Sequence, residues 1–211
     1  MLDIEYKGGN TVIIATKKTT LMVDPRLSVV GLKDIKTKDE VELATESRFA
    51  VENSEAWIII DQPGEYEVGD CTIRGVAATR HIDTPESEQL STMYRVECGE
   101  LTVAIVGNVA PGVSDDQLET LGMVDILIVP VGGYGYTLDA TSAASLVRKV
   151  EPKIVVPVHY ADSALTYEVP QDTVEVFERE LGAPVEKQNK LKIKSMSAVP
   201  EALTVYELAR V

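Results

Sequence analysis

Apolar residues recur along the chain in two patterns, which predict a strand-rich first half and a second half of alternating strands and helices. In the first half, short alternating or continuous apolar runs are separated by glycine, proline and charged residues. Trp57 opens a continuous apolar run that is typical of a strand buried on both faces. Strands are predicted at residues 4–6, 11–15, 20–23, 57–60, 65–68, 71–78, 93–98 and 101–106.

The second half carries the helix signals. Ser114 and Gln117 have the spacing of a capping box, and Gly122 ends the helix that they begin. Asp139 is the predicted N-cap of a second helix, in which apolar residues recur at helical spacing as far as Val150. Strands that alternate with helices in this way predict a layered α/β sandwich. The remaining predicted elements are a helix at 174–181 and strands at 124–131, 154–158, 190–195 and 203–208.

Composition limits the binding partners and the cellular compartment that we expect for this protein. The formal net charge is −14, whereas nucleic-acid binding relies on clustered Lys and Arg, so we expect no nucleic-acid partner. No stretch of the sequence approaches the roughly 20 apolar residues of a membrane span, and the first residues do not have the pattern of a signal peptide. Cys71 and Cys98 are isolated, so we expect small buried side chains without a disulfide, and a cytoplasmic location.

The chain has only two histidines, His81 and His159. Each follows a predicted strand, at the strand ends where α/β proteins usually place ligands for metals and substrates. A hydrolytic zinc ion commonly takes three protein ligands and keeps one open position, and histidine is its main donor. Two histidines therefore cannot furnish a binuclear, histidine-rich zinc site.

Two glycine-containing loops also follow predicted strands. The amides of the loop at 132–136 are suited to an anion, but the loop lacks the spacing of a dinucleotide fingerprint or a P-loop. A tight strand-to-helix turn is the favoured interpretation. In the loop at 107–112, Asn108 is a weak zinc-ligand candidate because its oxygen carries no formal charge; alternatively, it satisfies backbone groups of the turn. We expect Asp24 to fix its loop by accepting backbone hydrogen bonds.

Several short motifs carry a resemblance to a known family. They are QPGEYEV at 62–68, VDILIVPVGG at 124–133, YTLDA at 136–140 and PKIVVPVHY at 152–160. With them, the chain resembles the metallo-β-lactamase fold superfamily, and within it the small Zn-dependent hydrolase proteins related to the L-ascorbate-6-phosphate lactonase group. The resemblance implies one domain over residues 1–211, folded as a four-layered αββα sandwich with its site at the edge between the two sheets.

That family carries a His-x-His-x-Asp-His signature after an Asp-Pro strand, and the four side chains hold two metal ions. The resemblance places the equivalent stretch at 45–50, anchored by its spacing to the Pro-Gly-Glu-Tyr segment at 63–66. None of the four expected ligands is present in that stretch, and Arg48 adds a positive charge to it. The residues at the ligand positions are Thr45, Ser47, Phe49 and Ala50.

The later ligand positions are retained in part. By resemblance, His81 and His159 match the next and the final histidine of the family, and Asn108 replaces an aspartate. We therefore treat His81, Asn108 and His159 as vestigial metal-ligand candidates and assign no catalytic residue. A metal-bound hydroxide requires a tightly held cation, and losing a single outer partner already costs about 10–100-fold in affinity or activity. Binuclear zinc catalysis is accordingly not expected.

Three functions stay open. The favoured one is a hydrolase-like protein without a cofactor that acts as a binding, regulatory or assembly module, with a homo-oligomer as one candidate assembly. The first alternative is a hydrolase of lactones or phosphoesters with one weakly bound zinc ion, held by His81, Asp83, Asn108 and His159. The second alternative is a protein that binds a small anion with the loop at 132–136 and the former cleft. In the simplest interpretation the two histidines are only inherited loop residues.

Overall fold

Two β-sheets pack face to face in the computed structural model of the chain, which describes residues 1–81 and 90–211. The strands, in chain order, are β1 (Leu2–Gly8), β2 (Thr11–Ala15), β3 (Thr20–Val23), β4 (Val41–Leu43), β5 (Ile58–Ile60), β6 (Gly64–Val68), β7 (Cys71–Thr79), β8 (Leu90–Cys98), β9 (Leu101–Ile105), β10 (Ile126–Pro130), β11 (Ile154–Val158), β12 (Val185–Gln188), β13 (Leu191–Ile193) and β14 (Thr204–Leu208). The α-helices are α1 (Asp115–Leu121), α2 (Ala140–Val150) and α3 (Val174–Leu181).

Parallel and antiparallel pairing are both present in each sheet. Within the described part of the chain, the first sheet has six strands in the order β13-β1-β2-β3-β4-β5. The second has eight strands in the order β12-β14-β11-β10-β9-β8-β7-β6. β3, β4 and β5 run parallel to one another, as do β9, β10 and β11. The carboxyl ends of parallel strands are where open α/β sheets bind ligands, so the connections after these strands position the site.

Burial along the strands follows the pattern of the sequence. In β1, Leu2, Ile4 and Tyr6 are buried between the sheets, and the residues between them are less buried. Every residue of β10 and β11 is buried. That is the expected state of central parallel strands that are covered on both faces, and it explains their continuous apolar sequence.

The α-helices pack on the outer face of the eight-stranded sheet. Ser114 and Gln117 form the predicted capping box of α1, and the side chain of Asp139 caps α2 as predicted. Ala143 of α2 and Phe177 of α3 are fully buried with residues of the sheet. Among the described residues, no helix is long and apolar enough to cross a membrane. The layered α/β sandwich is therefore confirmed.

Cys71 and Cys98 form a disulfide, so the expectation of two unlinked cysteines is wrong. β7 and β8 are antiparallel neighbours whose register places the two residues directly opposite each other, with their Cα atoms 4.4 Å apart. A sequence separation of 27 residues concealed this contact. Both side chains are buried, as predicted. The cytoplasmic location stays a prediction, but the cysteines no longer support it.

The prediction of a strand buried on both faces at 57–60 is also wrong. β5 lies at an edge of the six-stranded sheet, and Trp57 and Ile59 are 67% and 42% exposed. A short apolar run does not by itself distinguish a central strand from an edge strand. The two strands that the pattern does not predict, β4 and β12, are short and contain charged residues.

Candidate functional site

Six polar side chains meet at one edge of the sandwich, where strands of both sheets end. Their positions follow from the topology: three come directly after β4, β7 and β11, and another lies in the turn between β1 and β2. Because ligands bind at such strand ends, this edge is the candidate functional site. We call the six residues the edge network; they are Asn10, Glu46, Arg48, Arg80, Asn108 and His159.

One chain of hydrogen bonds runs from a buried carboxylate to a buried imidazole. Nδ2 of Asn108 donates to Oε1 of Glu46 (3.0 Å), and Nδ2 of Asn10 donates to Oδ1 of Asn108 (2.8 Å). Oδ1 of Asn10 then lies 3.2 Å from Nδ1 of His159. A carboxylate can only accept, so this order of donors places the imidazole proton on Nδ1, from which it is donated to Asn10.

This arrangement leaves Nε2 of His159 as a bare lone pair. The residue is only 3% exposed, and Nε2 has no hydrogen-bond partner within the described residues. Burial lowers the pKa of His159 to about 3, with a further contribution from the charge of Arg48. The imidazole is therefore neutral near pH 7. Its ring is stacked on that of Tyr167, with 4.8 Å between the ring centroids.

Two guanidinium groups hold the other end of the chain of hydrogen bonds. Oε2 of Glu46 accepts from Nε of Arg48 at 2.8 Å and forms an ion pair with Arg80, whose Nε lies 2.7 Å away. Burial raises the pKa of Glu46, and the two positive charges and the amide of Asn108 act against that rise. Hydrogen bonds between charged partners are the strong ones, so both oxygens of this carboxylate are firmly engaged.

Arg48 connects the network to a second acid and to two aromatic rings. Its Nη1 donates to Glu168 at 3.0 Å and its Nη2 donates to the hydroxyl of Tyr136. The guanidinium carbon lies 4.6 Å from the ring centroid of Phe49 and 5.3 Å from that of Tyr136. Cation–π contacts of this kind stabilise a partly dehydrated arginine. A fixed positive charge is thus held against Phe49, the residue at the expected aspartate position.

Thr45, at the first expected histidine position, serves a structural purpose. Its amide and its hydroxyl each donate to a carboxylate oxygen of Asp24, both at 2.7 Å. Asp24 therefore fixes its surroundings by accepting a backbone hydrogen bond, as expected. Burial raises the pKa of Asp24 to about 7, and the bonds from Thr45 act against that rise. Gly107 is required here, because a Cβ at that position would lie 2.7 Å from Cβ of Thr45.

The network lies between a small space and a much larger open cleft. The small space has a volume of about 10 Å³ and is lined by His159, Asp24 and Phe49, among others. It accommodates about one water molecule. The cleft has a volume of about 360 Å³ and is lined by Glu46 and Arg80, among others. The two spaces lie at opposite ends of the chain of hydrogen bonds.

The three metal-ligand candidates occupy the predicted strand ends but have other partners. His81 donates its backbone amide to the carbonyl of Asn108 (2.9 Å), and its Nδ1 lies 2.9 Å from the carbonyl oxygen of Thr137. Asn108 and His159 belong to the edge network. Asp83 lies outside the described residues. Among residues 1–81 and 90–211, no group of three or more His, Cys, Asp or Glu side chains is placed to hold a metal ion. The metal roles of the three candidates stay predictions.

The loop at 132–136 forms a closed turn. The amide of Gly133 donates to the hydroxyl of Thr137 and to the carbonyl of Leu138, and the amide of Tyr136 donates to the carbonyl of Gly133. A Cβ at Gly132 would lie 2.4 Å from the carbonyl oxygen of His159. These contacts support the tight-turn interpretation, because amides that are bonded within the loop are not free to hold an anion.

Sequence reasoning missed half of the edge network. Asn10 follows two turn glycines and belongs to no motif. Arg80 precedes His81, which is the residue of that segment that matches a family ligand. Glu46 occupies an unassigned position of the altered signature. A signal was available for Glu46, since Glu46 and Arg48 are the only charged residues of the stretch at 45–50. Their partners come from distant strands and cannot be read from local spacing.

Comparisons with known proteins now assign the family. The sequence profile of the beta-lactamase superfamily domain matches residues 3–159. The chain belongs to this superfamily. A relative, UPF0173 protein PF0020 of Pyrococcus furiosus, is 34% identical over 96 residues, which are 46% of this chain and 41% of that protein. The match thus spans less than half of the relative's length.

Solved structures show the same fold at low identity. A proposed Zn-dependent hydrolase of the metallo-β-lactamase superfamily from Thermotoga maritima superposes with a TM-score of 0.79 and 21% identity, over 99% of this chain and 100% of that one. Igni18, a metallo hydrolase from Ignicoccus hospitalis, gives a TM-score of 0.66 and 15% identity, over 86% and 90% of the two chains. The expected metallo-β-lactamase fold is therefore confirmed, and the chain is a hydrolase-like member of that superfamily.

Proposed function

We propose that this hydrolase-like protein is a binding module that works without a binuclear zinc centre. The observation that carries the proposal is the state of Glu46. It stands within the stretch where the family resemblance expects four metal ligands, and two guanidinium groups and one amide engage its oxygens instead. The positive charge at this edge of the sandwich is supplied by arginine side chains.

The donor atoms of the site do not suit a pair of zinc ions. Zinc is bound by imidazole nitrogen, thiolate sulfur and carboxylate oxygen, with three or four protein ligands each. Asp24 accepts two hydrogen bonds from Thr45, and the thiols of Cys71 and Cys98 are joined in a disulfide. Within the described residues, Nε2 of His159 has a lone pair without a hydrogen-bond partner, and His159 lines a space of only about 10 Å³.

The guanidinium of Arg48 adds an electrostatic argument. It is fixed by Glu46, Glu168 and the hydroxyl of Tyr136, so it cannot easily leave to admit a metal ion. Two positive charges at short range repel each other by several kcal/mol when they are poorly screened. A divalent cation beside Arg48 would therefore bind more weakly than in a site made of neutral and anionic ligands.

Zinc titration tests the first half of this proposal. Protein treated with EDTA and then dialysed is titrated with ZnCl₂ and followed by calorimetry and by thermal unfolding. We expect no saturable binding in the micromolar range and no rise in the unfolding temperature. Binding of two zinc ions per chain that stabilises the fold would reject the proposal.

A ligand screen tests the second half. Thermal unfolding is measured against a panel of small metabolites, with and without EDTA. A ligand at 100 times its dissociation constant should stabilise the native state by about 2.7 kcal/mol. We expect stabilisation that is unaffected by EDTA. Turnover of a metabolite that EDTA abolishes would instead indicate a metal-dependent hydrolase.

One observation favours a second candidate, a hydrolase that uses one metal ion. The neutral imidazole of His159 has a free Nε2, and that is the form in which histidine binds metals. For this candidate, His159→Ala should abolish both metal uptake and turnover of a lactone and phosphoester panel. Unchanged turnover in the variant would eliminate it.

A further inference from the structure

The open cleft carries separated charges of both signs, and these indicate the chemistry of its ligand. The cleft lies where β4 of one sheet meets β7 and β8 of the other, beside the connection between β5 and β6. Its volume of about 360 Å³ falls in the range of small-molecule sites, roughly 300–1,000 Å³. A ligand of about the size of an amino acid or a short peptide fits this space.

Among residues 1–81 and 90–211, the charged side chains that line the cleft sum to zero but are not evenly distributed. Glu46, Arg48 and Arg80 are in direct contact, and Arg48 also pairs with Glu168 outside the lining, so Arg80 carries the positive charge on the cleft side of a balanced cluster. Asp61 stands apart on the connection after β5, and it forms no ion pair with any residue in the described ranges. An ion of a single sign would gain little from such a lining, whereas a ligand with two opposite charges can align with it.

Arg80 is the group best placed to receive an anionic end. Its side chain is only 10% exposed, and its Nε lies 2.7 Å from Oε2 of Glu46. A guanidinium that is held on one side by a buried carboxylate is oriented in advance, which lowers the entropy cost of binding. Guanidinium groups bind carboxylates with two parallel hydrogen bonds, and this geometry favours a carboxylate over a halide.

Part of the lining is apolar. Pro63 and Ala77 line the cleft, and Leu90 lines it while remaining 66% exposed. An exposed leucine beside a polar cleft offers a contact for a hydrocarbon side chain, worth about 0.8 kcal/mol for each CH₂ that is buried.

We infer that the cleft binds a zwitterionic amino acid or short peptide with an apolar side chain. Its carboxylate pairs with the guanidinium of Arg80, its ammonium group faces Asp61, and its side chain lies against Leu90. The inference rests on the proposed function, because a zinc ion at this edge would compete for Glu46 and alter the charge of the lining.

Calorimetric titration of the intact protein tests the inference with matched probes. L-Leucine and the dipeptide Gly-Leu carry both charges, 4-methylpentanoate carries only the carboxylate, and isopentylamine carries only the ammonium group. We expect at least one zwitterion to bind about 10-fold more tightly than either singly charged probe, as one charge-assisted hydrogen bond is worth. Equal affinity for 4-methylpentanoate, or no binding of either zwitterion, would overturn the inference.

Substitutions at the rim keep the test independent of folding. Asp61→Asn should weaken the zwitterion about 10-fold and leave 4-methylpentanoate unaffected, because only the ammonium contact is lost. Glu100→Gln, in the turn between β8 and β9, removes an exposed carboxylate that does not line the cleft and should change neither affinity. An unchanged affinity of the zwitterion for the Asp61 variant would contradict the assigned orientation.

The zinc titration distinguishes a failure of the proposed function from a failure of the ligand assignment. Saturable binding of two zinc ions would reject the proposed function whatever the probes do. A protein that takes up no zinc and binds no zwitterion would retain the proposed function and lose only the identity of the ligand.

Discussion

The two ends of the edge network differ in the room that they leave for a ligand. At one end His159, which the family resemblance matches to a metal ligand, lines a space of about 10 Å³. At the other end Glu46 and Arg80, which match no family ligand, line a cleft of about 360 Å³. The retained histidine is buried beside a space with room for about one water molecule. The groups that the cleft presents to a ligand are not those that the resemblance retains.

The residue that the family resemblance retains is therefore not the residue that lines the cleft. His159 is neutral, buried and joined to the cleft only through two asparagine side chains. Glu46 lies at the cleft wall, where its Oε2 contacts two arginines and its Oε1 accepts from the amide of Asn108. Fold alone does not fix function, so the open end is the better guide to what this protein binds.

The largest effect is expected from removing the carboxylate at the open end. Glu46→Gln leaves two partly buried guanidinium groups without their counter-charge, and breaking a buried pair from one side costs about 3–5 kcal/mol. Because Arg48 is 28% exposed, we expect the lower end of that range. Urea unfolding measures the change.

Glu52→Gln is the matched control for this variant. Its carboxylate also pairs with an arginine, Arg26, but is 72% exposed. Such surface pairs contribute about 0–1 kcal/mol. Equal losses in the two variants would show that Glu46 is not a structural centre of the open end.

The next effect concerns the hairpin of β7 and β8, whose other end lines the cleft. The disulfide joins β7 and β8, and it closes a loop of 27 residues. On the chain-entropy model, its removal by Cys71→Ser with Cys98→Ser should cost about 3 kcal/mol. Reduction of the wild-type protein should reproduce the loss. Two alkylated cysteines in the intact mass of unreduced protein would contradict the pairing.

A smaller loss is expected in the middle of the network. Asn108→Asp restores the carboxylate that the resemblance expects, but it removes the donor to Glu46 and places a second acid beside it. We expect a loss of about 2 kcal/mol in the free energy of unfolding and no gain of zinc. Asn53→Asp, at an exposed position, is the control. A variant that binds zinc without loss of stability would show that the network does not exclude the metal.

The smallest net effect is expected from a change of pH, because the pKa shifts of Asp24 and His159 act on stability in opposite directions. The raised pKa of Asp24, about 7 against an ordinary 3.8, means that the folded protein holds an extra proton. The stabilisation that this proton contributes is complete at low pH and is lost as pH rises through about 7. The lowered pKa of His159, about 3 against 6.5, has the opposite sign, since its stability is lost as pH falls from 6.5 towards 3.

Single variants should reveal the separate contributions of Asp24 and His159 to the slope of stability against pH between pH 4 and pH 6.5. In Asp24→Asn, the free energy of unfolding should rise with pH more steeply than in the wild type. In His159→Gln, it should fall as pH rises. Unfolding curves at half-unit intervals of pH measure the free energy of unfolding of both variants. Variants that keep the wild-type slope would refute the protonation states assigned to Asp24 and His159.

Much of the sandwich was predictable from the sequence, because burial imposes its period on each strand and helix. The capping box at Ser114 and the N-cap at Asp139 are local signals and are confirmed. The exposure of β5 and the disulfide were not predictable in this way. Both depend on which strands become neighbours, and that is decided by pairing across the whole sheet.

The candidate site was predictable in position but not in content. The sequence places His81, Asn108 and His159 at strand ends, and the structure agrees. It does not reveal that Asn10 joins Asn108 to His159, because a neutral amide in a turn has no distinctive spacing. The partners of Glu46 likewise come from residues whose proximity arises only when the two sheets pack together.

The metal content of the protein tests the central claim most directly. Protein is produced in zinc-supplemented medium, purified without chelator and analysed by mass spectrometry for bound metals, with anomalous scattering at the zinc edge on crystals of the same preparation. We predict zinc far below one ion per chain and no anomalous peak between Glu46 and His159. Two stoichiometric zinc ions with peaks at this edge would contradict the claim that arginine charges have replaced the metal.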